Sequence, residues 1–316
     1  MPRFRNIDDA SHMRAFRHLV RWKLGLGPPG GPDELAPPVR PRARGPQPGA
    51  PSVANDGRAL RESGQRPSLT WIGHATYLVR LGGASILTDP VLGPRIAVIP
   101  RLVAPGLAQA DMPPIDVVTV SHNHRDHMDA PSLRALGPRP LYVVPAGLGA
   151  WFRREGFPRV VELGWWESTD VEGLRITFVP SQHWSRRGLL DEDETLWGGF
   201  VLESGGVRVY HSGDTAYFSG FRAIRERAGP IDAAMLPIGA YEPRWFMRAQ
   251  HMNPDDAVQA WVDLDAARMV AMHWGTFQLT DEPTDEPPLR TRAVVDERSL
   301  DDRRLFIPAI GETLWL

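Results

Sequence analysis

The stretch VSHNHRDHMD, residues 120–129, sets His122, His124, Asp126 and His127 within six positions of a 316-residue chain that holds ten histidines in all. Imidazole nitrogen and carboxylate oxygen at this density are the donors of a divalent metal site; the plainer reading is a solvated polar turn. His122 and His124 are two apart, so extended backbone puts both rings on one side. Asp126 and His127 follow where the chain must turn, and can face across a small cavity, so that two ions could share the loop. A metal needs about four ligands and draws them from several elements. GLRITFVPSQHW ends an apolar run at His183, GVRVYHSGDTAY ends one at Asp214 and ARMVAMHWGTF ends one at His273. A lone histidine at a strand end is more often a hydrogen-bonded structural residue; donors on four strand ends together favour a metal.

The elements that must carry these donors are legible after residue 68. LTWIGHATYLVRL, ASILTDPVL, IDVVTVSH, PLYVVPAG, GLRITFVPS, GVRVYHSGD, IDAAMLPIG and ARMVAMHWG are Val-, Ile- and Leu-rich strand candidates of buried character. Helices are expected between them over Ala130 to Leu136, Leu148 to Gly156, Phe221 to Arg227 and Pro254 to Leu264. The last opens on Asn253 as N-cap with Pro254 at its first position. No repeat of 20 to 50 residues is present. The reading is one mixed domain over residues 68–316, preceded by 1–67. Within 1–67, Met13, Phe16, Leu19, Val20 and Leu24 alternate with Arg14, Arg17, His18, Arg21 and Lys23 at near-helical spacing. That amphipathic helix either docks on the domain or, through residues 13–24, rests on anionic lipid headgroups. Residues 25–67 are dense in Pro, Gly and Arg and read as a loop or mobile linker.

Bulk composition narrows the function classes. A hydrophobic fraction of 42% supports a substantial core, and a net charge of -2 lacks the basic footprint of a dedicated nucleic-acid binder. No cysteine is present, so there is neither a disulfide framework nor a thiolate site, and any metal is held by nitrogen and oxygen. No run approaches the roughly 20 apolar residues of a membrane span, and the basic N-terminus lacks a signal-peptide core. A cytoplasmic location is expected, with peripheral contact at the inner membrane face as its extension.

HxHxDH, present as His122, His124, Asp126 and His127, with His183, Asp214 and His273 following in order, resembles the signature of the metallo-β-lactamase superfamily. TWIGHATYLV, LTDPVL, SQHW, LWGGF, SGDTAY, PIGAYEPRWFMRAQHMNPDDAV and HWGTFQLTDEP together resemble its N-acylphosphatidylethanolamine phospholipase D branch, over roughly residues 68 to 285. The resemblance implies an α+β fold of four αββα layers, with two mixed sheets packed between outer helices and the metals along one edge. It further implies that His122, His124 and His183 hold one zinc, Asp126, His127 and His273 a second, and that Asp214 bridges them. All-N/O ligation favours zinc, with iron or manganese compatible. Two such ions lower the pKa of a shared water from about 15.7 toward about 7 and polarise a phosphate oxygen, which suits phosphodiester hydrolysis without a serine or cysteine nucleophile. The activity implied is cleavage of the phosphate to N-acylethanolamine bond, leaving phosphatidic acid, and the partner implied is a phospholipid or another phosphodiester. The segment before residue 68 shows no match to membrane-attached members of the family.

Smaller expectations attach to neighbouring residues. Gln250 and His251 correspond to a segment beside the metals, and His251 is a candidate donor to the phosphate or leaving group, with a helix cap as the plainer reading. Asp126 is also a catalytic candidate. His74 and Asp89 are expected to support ligands from behind. Tyr241, Glu242, Arg244 and Trp245 are expected to line the cavity, with Arg244 available to an anion. Trp165, Trp166, Trp184, Trp197, Trp245 and Trp274 lie in or near the motif loops; most tryptophan is core, yet an acyl chain would need such an apolar wall. The runner-up function is a lactonase or sugar-phosphate lactonase on the same fold. A non-hydrolytic metal-binding or redox protein is the alternative of another class, disfavoured by the intact donor set. The sequence is compatible with a homodimer.

Overall fold

A computed structural model describes residues 4–8, 16–28, 45, 47–188 and 190–316. Period-two alternation sorts the first-half strands onto two faces. These strands are β1 (Ser68–Gly73), β2 (Thr76–Leu81), β3 (Ala84–Thr88), the short hairpin β4 (Arg95–Ile96) and β5 (Ile99–Pro100), β6 (Val117–Thr119), β7 (Leu141–Pro145) and β8 (Val160–Leu163). Tyr77, Val79, Ile86, Val117 and Val143 point into the central core, whereas Leu78, Leu87, Val118, Tyr142 and Val144 pack outward with Leu133 and Phe152. The second half supplies β9 (Ser168–Val171), β10 (Leu174–Val179), β11 (Gly199–Ser204), β12 (Val207–His211), β13 (Ala233–Pro237), β14 (Met269–Met272) and β15 (Leu305–Phe306), and β16 (Thr313–Trp315) returns to the first sheet.

Both sheets have seven strands, in the orders β16-β1-β2-β3-β6-β7-β8 and β15-β14-β13-β12-β11-β10-β9. Each begins as an antiparallel meander and turns parallel, at β3 to β6 in one and β12 to β13 in the other. Ligand sites gather at the carboxyl ends of strands beside such switch points. The β13 and β14 strands are buried along their whole length, as expected where a sheet is covered on both faces.

Helices close the outer layers and complete the expected αββα sandwich. On the first sheet lie α3 (Ala130–Leu136) and α4 (Gly149–Arg154), and on the second α5 (Gly220–Ala228), α7 (Pro254–Leu264) and α8 (Glu286–Glu297). The expected Asn253 cap is present as a reciprocal pair with Asp256, with Pro254 in the first turn. The α8 helix was not expected: its buried positions are Pro287, Thr291, Val294 and Val295, so half of its helical stripe is not aliphatic.

Two features differ from the reading of residues 25–67 as a linker. The helix α2 (Arg58–Glu62) lies inside that stretch with Leu60 fully buried, and Ser52 bridges to Ile310. The Pro, Gly and Arg density hid single anchoring residues that do not make a period. Residues 29–44 lie outside the described residues, as does Met13. The helix expected across 11–24 is described as α1 (Phe16–Lys23), whose Leu19 and Trp22 pack against α6 (Arg244–Met247).

Candidate metal centre

The loop after β6 is shaped by hydrogen bonds that leave its donors facing one way. His127 N and Met128 N both donate to His124 O, making the turn that carries Asp126 and His127 past the two earlier histidines. Asp89, just after β3, accepts from Ser121 N at 2.7 Å, Ser121 Oγ at 2.6 Å and His127 Nδ1 at 2.7 Å. Arg187 staples the loop from outside, donating to the carbonyls of Asn123 and Met128. The Gly213 turn that delivers Asp214 has φ +59, and a Cβ there would lie 2.6 Å from Ser121 Cβ, so only glycine lets the two loops approach this closely. His74, Asp89 and His273 also take positive φ, backbone strain of the kind that concentrates at functional sites.

The outward bonds fix which ring nitrogens face inward. His122 Nδ1 donates to Ser121 Oγ, whose own proton is committed to Asp89; His127 Nδ1 donates to Asp89, and His183 Nδ1 donates to Gln250 O at 2.9 Å. In its neutral form each ring therefore presents a bare Nε2 to the interior. There His122 Nε2 sits 2.8 Å and His183 Nε2 3.2 Å from His124 Nδ1. Beside them, Asp214 Oδ2 is 3.1 Å from His127 Nε2 and 3.8 Å from His183 Nε2, while Asp214 Oδ1 is 3.1 Å from His273 Nε2. Asp126 Oδ2 lies 3.8 Å from both His127 Nε2 and His273 Nε2. His127 Nε2, His273 Nε2 and Asp214 Oδ1 are buried without a hydrogen bond among the described residues.

All seven donors expected from the sequence thus converge. Two separate groups, His122 with His124 and His183, and Asp126 with His127, His273 and His74, each hold their donor atoms within 4.8 Å of one another, and Asp214 links them through two further groups, with His122 and His127 and with His183 and His251. Lone pairs facing lone pairs in a buried space suit a cation and little else. Burial, reinforced by neighbouring histidines, pushes His122 well below the ordinary imidazole range, so its ring is neutral, as metal ligation requires. Burial lowers His183 likewise. Burial resists ionisation of Asp214 and Asp126, but His127 together with the other facing histidines, His74 for Asp126 and His273 and His251 for Asp214, outweighs it and holds both carboxyls far below the usual range. Burial opposes the charge on His127 too, and the facing Asp214 and Asp126 raise it nonetheless.

His74 stands nearer than a support behind the ligands: its Nε2 is 3.3 Å from Asp126 Oδ2 and its ring centroid 3.9 Å from that of His273. Burial, then His273, pushes it down to about 3. His251 Nδ1 lies 3.9 Å from Asp214 Oδ2, and burial pushes that ring down to about 4. Gln250 meets the cluster through its carbonyl, while its side-chain amide turns toward Phe246 O and Met247 Sδ.

A cleft of about 390 Å³ opens onto His124, Asp126, Asp214 and His251. Its apolar wall is Leu19 and Trp22 of α1 with Phe246 and Met247 of α6, and Trp184 and Leu279 extend it. Arg125 and Arg186 stand on the same cleft as its cations. Tyr241, Glu242, Arg244 and Trp245, expected to line it, do not. Tyr241 donates to Glu286, Glu242 accepts from Arg244 N, and Trp245 is packed in the α6 cluster. Arg244 is not available to an anion, because it donates to His251 O and pairs with Asp256 at 2.8 Å. Trp184 alone of the expected aromatic residues lines the cleft; Trp274 stacks on Trp71 in the core. Arg187 carried no local motif that could have announced it, and the amphipathic pattern that announced α1 did not show that Leu19 and Trp22 would reach the cleft.

A profile of the beta-lactamase superfamily domain matches residues 84–274. The chain is 38% identical over 266 residues to an N-acyl-phosphatidylethanolamine-hydrolyzing phospholipase D of Caenorhabditis elegans, covering 78% of this chain and 74% of that one. It is 37% identical over 308 residues to an uncharacterized protein of Mycobacterium tuberculosis, covering 93% and 78%. Among solved structures, the metallo hydrolase Igni18 of Ignicoccus hospitalis superposes with a TM-score of 0.62 at 24% identity, covering 79% of this chain and 98% of that one, and so shares the fold.

Proposed function

This chain belongs to the beta-lactamase superfamily, in the branch of N-acylphosphatidylethanolamine-hydrolysing phospholipases D, and from that membership we propose that it is a metal-dependent phosphodiesterase acting on an N-acylated glycerophospholipid. The carrying observation is the buried knot of bare imidazole nitrogens and ionised carboxylates at the head of an apolar-walled cleft. In this reading His122, His124 and His183 would hold one zinc and Asp126, His127 and His273 the other, with Asp214 available to both. Two divalent ions would supply a water ionised near neutral pH and a Lewis acid for the phosphate oxygens.

The residues then divide the remaining work. Asp89, Ser121 and the Gln250 carbonyl hold the ligand rings in their inward tautomers. His74 orients Asp126, whose ionised carboxyl accepts a hydrogen bond from the attacking water. The water oxygen bonds to phosphorus as the bond from phosphorus to the alcohol oxygen breaks, and the proton released by the water ends on that departing oxygen, giving phosphatidic acid and an N-acylethanolamine. His251, neutral and on the cleft, donates a hydrogen bond to the departing oxygen. The apolar wall of α1 and α6 takes the acyl part of the substrate and Arg125 a peripheral anionic oxygen.

Purified protein loaded with Zn²⁺ should hydrolyse N-acylphosphatidylethanolamine and bis-p-nitrophenyl phosphate and leave lactones intact. Lactone hydrolysis with inert phosphodiesters reverses the assignment to a lactonase. Iron as the retained metal, with a visible absorption band, points instead to redox chemistry.

A further inference from the structure

The metal-ligand candidate His183 stands where the second sheet has ended. The β10 strand stops at Val179, and beyond it only the isolated bridge from Gln182 to Ala216 continues the pairing. His183 N and O have no backbone partner among the described residues. Both are taken instead by one side chain 177 positions away: Asn6 Nδ2 donates to His183 O at 2.9 Å, and Asn6 Oδ1 accepts from His183 N at 3.1 Å. A strand neighbour exchanges the same two bonds in an antiparallel pair. Asn6 Oδ1 also accepts from Trp197 Nε1 at 2.9 Å.

The segment that carries Asn6 is tied at both ends. Phe4 N donates to Asp193 O, and Asp8 accepts from Ser219 N and Ser219 Oγ, while its carbonyl accepts from Gln182 Nε2. Phe4, Asn6 and Asp8 are half-buried and Arg5 and Ile7 exposed, the alternation of an extended strand. His183 is therefore held from two sides, its ring by the Gln250 carbonyl and its backbone by Asn6.

We propose that residues 4–8 are a strap that completes the metal centre, and that Asn6 is the positioning residue that sets His183 Nε2 toward His124 and Asp214. The proposal rests on the metal-centre reading above, and it places part of the site in a segment well before residues 84–274, the span shared with the superfamily profile. It predicts that loosening the strap weakens one ion and spares the other, because His127, His273 and Asp126 have no contact with Asn6 among the bonds described.

The test is Zn²⁺ titration of the full chain against a chromophoric chelator, with melting of the metal-free protein alongside, for wild type, Asn6→Ala, Asn6→Asp and Asp8→Ala. Asn6→Asp keeps the acceptor for His183 N and removes the donor to His183 O, so it reads the contact even if the alanine variant folds poorly. We expect both Asn6 variants to lose roughly 10- to 100-fold in affinity for one of two ions, the range typical of partners behind metal ligands, with the second ion unchanged. Asp8→Ala should lower melting as much and affinity less. Wild-type affinity for both ions in the Asn6 variants overturns the strap alone, as does an equal loss in Asp8→Ala that merely follows its melting temperature. A wild-type protein that binds no Zn²⁺ overturns the metal centre, and the strap with it.

Discussion

At the scale of single residues, the site is a set of tautomer decisions. Asp89 decides His127 by accepting its Nδ1 proton at 2.7 Å, and it also anchors the start of the loop through Ser121. Asp89→Asn replaces one acceptor oxygen with a donor and sets His127 free to flip. Zn²⁺ affinity should then fall roughly 10- to 100-fold, read by chelator competition; unchanged affinity removes Asp89 from the design. Arg125 stands between two ligand candidates, exposed, and no hydrogen bond or ion pair involving it is seen among the described residues. An exposed cation adds at most about 1 kcal/mol to an ion pair, so Arg125→Ala should raise KM for an anionic phosphodiester up to about 5-fold at low salt, leave kcat in place and lose its effect in high salt. The HNHRDH spacing announced the ligand loop because backbone geometry alone puts alternate residues on one side. The opposite held for Arg244: its guanidinium was read as free because nothing in the sequence shows that Asp256, a capping residue of α7, claims it.

At the scale of elements, helix boundaries were readable where side chains satisfy the backbone locally. Asn253 and Asp256 cap α7 reciprocally, and the same turn follows His251, so the cap fixes both the helix start and the approach of the cleft histidine. Asn253→Ala should cost about 1 kcal/mol, seen as a lower melting temperature, with a further loss in kcat if the 250–252 turn shifts. The α1 helix is different. Its amphipathic pattern was legible, but not its destination: Trp22 packs tilted against Phe246 with ring centroids 5.2 Å apart, donates to Asp281 and forms cleft wall. Trp22→Ala should lower kcat/KM by about 10-fold for long-chain substrates and little for bis-p-nitrophenyl phosphate, since each methylene left unburied forfeits about 0.8 kcal/mol. Equal losses on both substrates would show that α1 supports the fold rather than contacts the acyl chain.

At the scale of the whole molecule, among the described residues no helix is long and apolar enough to cross a membrane. Beyond Leu19 and Trp22, which line the cleft, α1 and the turn after it leave Leu24 and Leu26 exposed at 69% and 48%, next to Lys23. A lipid substrate reaches such a cleft most directly from a surface, and a basic residue near an anionic leaflet contributes about 1 kcal/mol. Anionic liposomes should retain the full chain, and Leu24→Asp with Leu26→Asp should weaken retention at least several-fold while leaving hydrolysis of the soluble diester untouched. Retention that does not change assigns the exposed leucines no part in docking.

What the sequence by itself determined is whatever short-range chemistry enforces: the apolar strand runs, the Asn253 cap, four strand ends bearing donors, and the choice of nitrogen and oxygen over sulfur. The tertiary structure decided which distant groups answer the bonds left open by that frame. His183 lost its strand neighbour when β10 ended, and only the folded chain shows that Asn6 replaces it; Asn123 and Met128 left carbonyls that Arg187 fills. Such pairings follow from proximity across scores of residues, where no spacing rule operates, and so they become visible only once both sheets are packed.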